Sequence, residues 1–88
     1  MSCTVRVASP LRLYTRGEAS VTATGVTVGD VLADLDRRYP GMRFRMIDEQ
    51  DRIRRHVRVF VNSAEAANLG AAVNAGDQVH LICALSGG

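Results

Sequence analysis

The groups in this chain able to do covalent chemistry are few and far apart: Cys3 and Cys83 near opposite ends, His56 and His80, and a carboxylate closing Ala84-Leu85-Ser86-Gly87-Gly88. A nucleophilic mechanism needs a thiol or hydroxyl with a base beside it, and a metal site needs several Cys, His or acidic ligands at fixed short intervals. Neither pattern is present. No CxxC, glycine-rich phosphate loop or second ligand accompanies either histidine. The cysteines lie in apolar, strand-like runs and read as small core side chains. His56 and His80 read as surface side chains, and no metal is expected.

What remains is the end of the chain. A frayed terminus trails off in polar residues, whereas here the hydrophobic pattern holds through Leu85 and then gives way to Ser86 and two residues without side chains. Lacking a Cβ, Gly87 and Gly88 pass a constriction and take backbone angles closed to other residues. From Leu85 onward, three residues at ~3.3 Å each reach ~10 Å beyond a folded body. The terminus itself is therefore the candidate site: the expectation is that something needs the bare backbone and the Gly88 carboxylate, with Leu85, Ser86 and Gly87 leading to it.

The elements that must hold such an end can be read from periodicity. Cys3 to Ala8 and Ala19 to Thr24 alternate with period two and flank a break at Pro10 and a turn at Arg16-Gly17, which predicts a hairpin. Thr27 opens a helix whose apolar residues Val28, Val31, Leu32, Leu35 and Tyr39 recur at three- and four-residue steps, with Asp30 at the position of a capping-box acid and Pro40-Gly41 as the stop. Met42, Met46 and Ile47 make one more helical turn before a polar loop at 48–51. His56 to Asn62 alternates cleanly as a third strand. Residues 63–75 show no clear period and are expected to hold a short edge strand and a single helical turn. After a turn at Gly76-Asp77, Gln78 to Leu85 forms the last strand, with Val79, Leu81, Cys83 and Leu85 inward.

Strand, strand, helix, strand, short strand, strand is the order of an α+β β-grasp (ubiquitin-like), a mixed sheet wrapped over one main helix. Its first and last strands are parallel neighbours, so Cys3 and Cys83 fall at opposite ends, beyond the ~4.4–6.8 Å Cα separation of a disulfide. Alternation then places Phe60, His80, Ile82 and Arg58 on the outer sheet face, where the Phe-Ile pair is a candidate partner-binding surface.

Eighty-eight residues make a single domain, 1–88, with one modest core and a tail at 85–88, so any deep cleft has to belong to a partner. The start, Met1-Ser2-Cys3-Thr4-Val5-Arg6, has no signal-peptide pattern, and no run approaches the ~18 apolar residues of a membrane span. A cytoplasmic protein is expected. The net charge is only +2, yet all eleven basic residues are Arg, and Arg37, Arg38, Arg43, Arg45, Arg52, Arg54, Arg55 and Arg58 crowd into one segment. Such an excess meets an acidic surface or a phosphate. A nucleic-acid module is disfavoured because basic surfaces of that kind interleave stacking aromatics, and this region offers only Tyr39, Phe44 and Phe60.

The element order, Met46-Ile47-Asp48, Arg55-His56 leading into Val59-Phe60-Val61-Asn62, Gly76-Asp77-Gln78-Val79 and the final Gly87-Gly88 together resemble the bacterial ubiquitin-like sulfur carrier family (MoaD/ThiS), nearest to the carriers of a cysteine-forming route. The likeness covers essentially the whole chain. It departs at Cys83-Ala84, where family members often carry proline. The resemblance implies a carrier and protein co-substrate rather than an enzyme. A ubiquitin-activating-like adenylyltransferase of the MoeB/ThiF type would join the Gly88 carboxylate to AMP from ATP, with no cofactor bound by the carrier. A sulfurtransferase or sulfide source would then convert Gly88 to a thiocarboxylate, which a sulfur-acceptor enzyme such as a cysteine synthase would consume. Two related outcomes stay open: a molybdopterin synthase small subunit, and a protein modifier forming isopeptide bonds through Gly88.

Overall fold

Alternating side chains decide the sheet. In the computed structural model, which describes residues 2–83, they form β1 (Ser2–Val7), β2 (Ser20–Thr24), β3 (Val57–Val61), a two-residue β4 (Ala64–Glu65) and β5 (Gln78–Cys83). The strand order is β2-β1-β5-β3-β4. β1 and β5 are parallel, with Thr4 opposite Gln78 and Val7 opposite Leu81, and the other pairs are antiparallel. Inward residues Val5, Val7, Val59, Val79 and Leu81 are buried, and α1 (Val28–Arg38) covers them with Val28, Val31, Leu32 and Leu35. Each such leucine withdrawn from water contributes ~1.5–3 kcal/mol before entropy is counted. The architecture is the expected β-grasp.

Both ends of α1 are secured. Thr27 is extended, and its Oγ1 accepts the Asp30 N–H at 3.1 Å. The two preceding N–H donors, otherwise orphaned, go to a remote part of the chain: Val28 donates to the Ala71 carbonyl and Gly29 to that of Leu69, each at 2.9 Å. Asp30 does not close the expected reciprocal box on the cap residue. Its Oδ2 accepts the Val26 N–H at 3.3 Å, one residue further back. At the other end Asp36 Oδ1 accepts the N–H groups of Gly41 and Arg43, and Gly41 at φ +95° turns the chain into α2 (Met42–Met46), whose two methionines are buried. The extra helical turn is thus present.

The expected break at Pro10 holds a 3-10 turn, Ser9–Leu11, that buries Leu11. One expectation is corrected. No helical turn occurs between 66 and 75, where the Asn68 side chain instead accepts the Gly70 N–H at 2.8 Å and bends the backbone so that its carbonyls face α1. The last strand is described only to Cys83, and Leu85 lies outside the described residues. Both cysteines are free thiols, Cys3 buried and Cys83 half-buried. The parallel register separates them by about six residues, or ~20 Å.

Candidate functional site

The chain leaves the sheet from its middle. Cys83 stands opposite Val57, Ile82 opposite Arg58, and His80 between Phe60 on β3 and Arg6 on β1. The thread Leu85, Ser86, Gly87 and Gly88 lies outside the described residues. Five residues beyond Cys83 span at most ~17 Å, so whatever acts on Gly88 must come up against the body close to this exit.

Arg58, Phe60, His80 and Ile82 fall on one face, the one that α1 leaves open. Ile82 is 44% exposed, Phe60 and His80 are half-buried, and Arg58 forms a 2.9 Å ion pair with Glu65 on β4. An exposed pair of that kind contributes at most ~1 kcal/mol. Its effect is to hold the guanidinium beside Phe60, whose neighbour across the strand is Glu65. The arrangement is an apolar centre with a charged border. Among the described residues, His80 has no carboxylate at hydrogen-bond distance, and no three His, Cys, Asp or Glu side chains gather to hold a metal ion. Burial, helped by the charges of Asp77 and Asp34, pushes the Cys3 thiol up and leaves it a packed side chain rather than a nucleophile. No helix among the described residues is long and apolar enough to cross a membrane.

Comparison with known proteins matches residues 5–88 to the ThiS family. The chain belongs to the ThiS family. It is 34% identical to the sulfur carrier protein CysO of Mycobacterium tuberculosis, with all of both chains aligned. Among solved structures it resembles the Amycolatopsis orientalis BexX/CysO complex, at a TM-score of 0.90 and 34% identity over 98% of this chain and 99% of that one. SAMP1 from Haloferax volcanii follows at 0.84 and 30%, with both chains fully covered.

Within this ThiS-family fold, two segments that carried the resemblance hold each other. Asn62, at φ +55°, donates from Nδ2 to Asp77 Oδ1 at 3.1 Å and accepts the Gln78 N–H on Oδ1 at 3.0 Å, while Asp77 Oδ2 accepts the Asn74 N–H at 2.8 Å. They build the turn into β5 at the end of the sheet away from the thread, a scaffold role. Sequence reasoning did not foresee this network. An asparagine directly after an alternating run, facing a Gly-Asp turn, was the available signal.

These bonds predict acid sensitivity. The Asn74 N–H and the Asn62 amide hold the Asp77 carboxyl below its usual range. At Asp48 the Arg52 N–H does the same, opposed by desolvation and assisted by the Gln50 N–H. Partial burial alone would push Asp34 up, but the Thr24 N–H and the guanidinium groups of Arg37 and Arg38 outweigh it and lower it. A carboxylate lowered in the folded state stabilises the fold above its unfolded value, and that stability is lost as pH falls through the folded value. Melting temperature should be flat between about pH 7 and 5 and fall below about pH 4. Asp77→Asn should lower melting at neutral pH and flatten the acid limb, as read by circular dichroism.

Proposed function

We propose that this protein is a sulfur carrier whose Gly88 carboxylate is adenylated by a MoeB/ThiF-type enzyme and converted to a thiocarboxylate. What supports the reading is a 34% identical alignment with CysO that covers both chains from end to end, together with the Gly87-Gly88 end of this sequence, which follows the central strand of the sheet. A carboxylate is a poor electrophile. Attack of its oxygen on the α-phosphorus of ATP releases pyrophosphate and leaves AMP as a leaving group on the acyl carbon. Sulfide then displaces AMP directly. A persulfide, reactive as its anion, displaces AMP to give an acyl disulfide, which a partner thiol cleaves to release the thiocarboxylate. The carrier contributes access, without acid or base groups of its own.

The outer sheet residues Phe60, His80, Ile82 and Arg58 are the docking face in this scheme, and Leu85, Ser86 and Gly87 the part that threads the enzyme. A cytoplasmic setting supplies the ATP, and an acceptor enzyme such as a cysteine synthase takes the sulfur. Incubation with the adenylyltransferase, ATP and sulfide should raise the intact mass by the difference between one sulfur and one oxygen. An unchanged mass refutes the reading. A second reading, isopeptide conjugation through Gly88, is favoured by the likeness to SAMP1, a protein called a small archaeal modifier. Higher-mass conjugates in cells, in place of the sulfur-shifted monomer, would decide for it.

A further inference from the structure

The Arg-rich segment divides in two. Arg37 and Arg38 pair with Asp34, Arg43 with Asp51 and Arg58 with Glu65. Among the described residues, Arg45, Arg52, Arg54 and Arg55 pair with no carboxylate. Two of these, Arg45 and Arg54, border the exposed ring of Phe44, and the Arg45 guanidinium carbon also lies 6.0 Å from the centroid of the Tyr14 ring. Phe44 is 61% exposed, and Arg54 lies over it, its guanidinium carbon 4.7 Å from the ring centroid and its Nε donating to the Phe44 carbonyl at 2.8 Å. Phe44, Arg45, Glu49, Arg54 and His56 border one shallow depression, in which Glu49 is the sole acid. Arg55 borders the adjoining depression, which shares Arg54 with the first and is also lined by Arg58 and by Val57, the residue opposite Cys83.

The topology therefore sets this patch beside Cys83, where the described chain ends, and adjoining the Arg58 side of the outer sheet face. We propose that Phe44, Arg45, Arg54 and Arg55 form a second docking surface, seated on an acidic, partly apolar rim at the mouth of the enzyme that activates Gly88. The inference rests on the reading of Gly88 given above and adds the chemistry of the partner. With only ~17 Å of chain beyond Cys83, delivering Gly88 to an active site presses the exit region against that mouth. Unpaired guanidinium groups are best satisfied there by carboxylates, which they grip with two parallel hydrogen bonds. An exposed ring backed by an immobilised arginine has the composition of an interface hot spot and needs little further ordering on binding. Free positive charge around the exit also speeds encounter with an acidic surface. A nucleic acid fits less well, since one exposed ring gives one stacking position.

The test measures ATP–pyrophosphate exchange by the MoeB/ThiF-type adenylyltransferase of the source organism, with the carrier as varied substrate. Phe44→Ala and the double variant Arg45→Ala/Arg55→Ala should each raise KM for the carrier about tenfold or more, with kcat at saturation unchanged. The double variant should also lose much of the salt dependence of KM. Arg37→Ala/Arg38→Ala removes the same charge from already paired positions and should stay within about twofold. Wild-type turnover with unchanged KM in the patch variants overturns the patch alone, as does an equal rise in the Arg37/Arg38 control, which would report net charge. So does an unchanged KM accompanied by loss of binding to a fluorescent single-stranded RNA oligomer that the wild type retains. Failure of the wild-type chain to support exchange overturns the reading of Gly88 and this inference with it.

Discussion

Deleting Gly88 is expected to abolish thiocarboxylate formation and to shift the melting temperature by no more than about 1–2 °C, because Gly88 follows the last described strand by five positions and changes at chain termini are usually nearly neutral. Gly88→Ala is expected to cost about 100-fold or more in loading rate, since a new Cβ on the reacting residue displaces the acyl carbon in a channel sized for bare backbone, and a misplacement of ~1 Å is enough for a loss of that size. Intact-mass spectrometry of the loading reaction, alongside a thermal melt, reads both quantities. A deletion variant that gains sulfur at the wild-type rate would refute the assignment of Gly88. The separation of the two readouts is what distinguishes a tail that serves a partner from one that serves the fold.

Gly25→Ala should do the reverse. Gly25 joins β2 to the cap of α1 at φ +154°, and a Cβ there would sit 2.7 Å from Asp30 Cβ and 2.8 Å from the Val31 nitrogen. The second contact is with helix backbone, and the helix start is itself tied down by the Thr27 cap and by the carbonyls of Leu69 and Ala71. Relief of the clash has to break one of these ties. Strain and overpacking together are expected to cost about 2–4 kcal/mol, which for a domain of this size lowers melting by about 10–25 °C. Molecules that remain folded should still load sulfur. A variant melting within about 2 °C of the wild type would mean that the connection relaxes freely, and would overturn the argument.

Sequence periodicity reached most of the scaffold because period two and period 3.6 report which residues face the core. The strands, α1 and the turn of α2 follow from it, and so does the placement of Arg58, Phe60, His80 and Ile82 on one face. It failed at 66–73, where there is no period to read: that segment is shaped by hydrogen bonds to Val28 and Gly29, some forty positions away, and by the Asn68 side chain. The Asn62–Asp77 turn was hidden for a similar reason, being a contact between segments that sequence shows only separately. The division of the arginines into paired and free depends on which carboxylates the fold brings near, as Asp51 to Arg43 and Glu65 to Arg58. Phe44 sits in a short irregular run between buried methionines, where an apolar residue gives no sign that it points outward. The Gly88 thread, in contrast, rests on sequence and family alone.

The last described strand is also the keystone of the sheet: β5 lies between β1 and β3, which have no bonds to each other without it. A chain stalled or clipped before Gln78 therefore leaves two separate β-ladders and an open hydrophobic layer, prone to degradation. Quality control follows from connectivity, because a product terminated before β5 cannot close the sheet and is marked out by its exposed apolar layer.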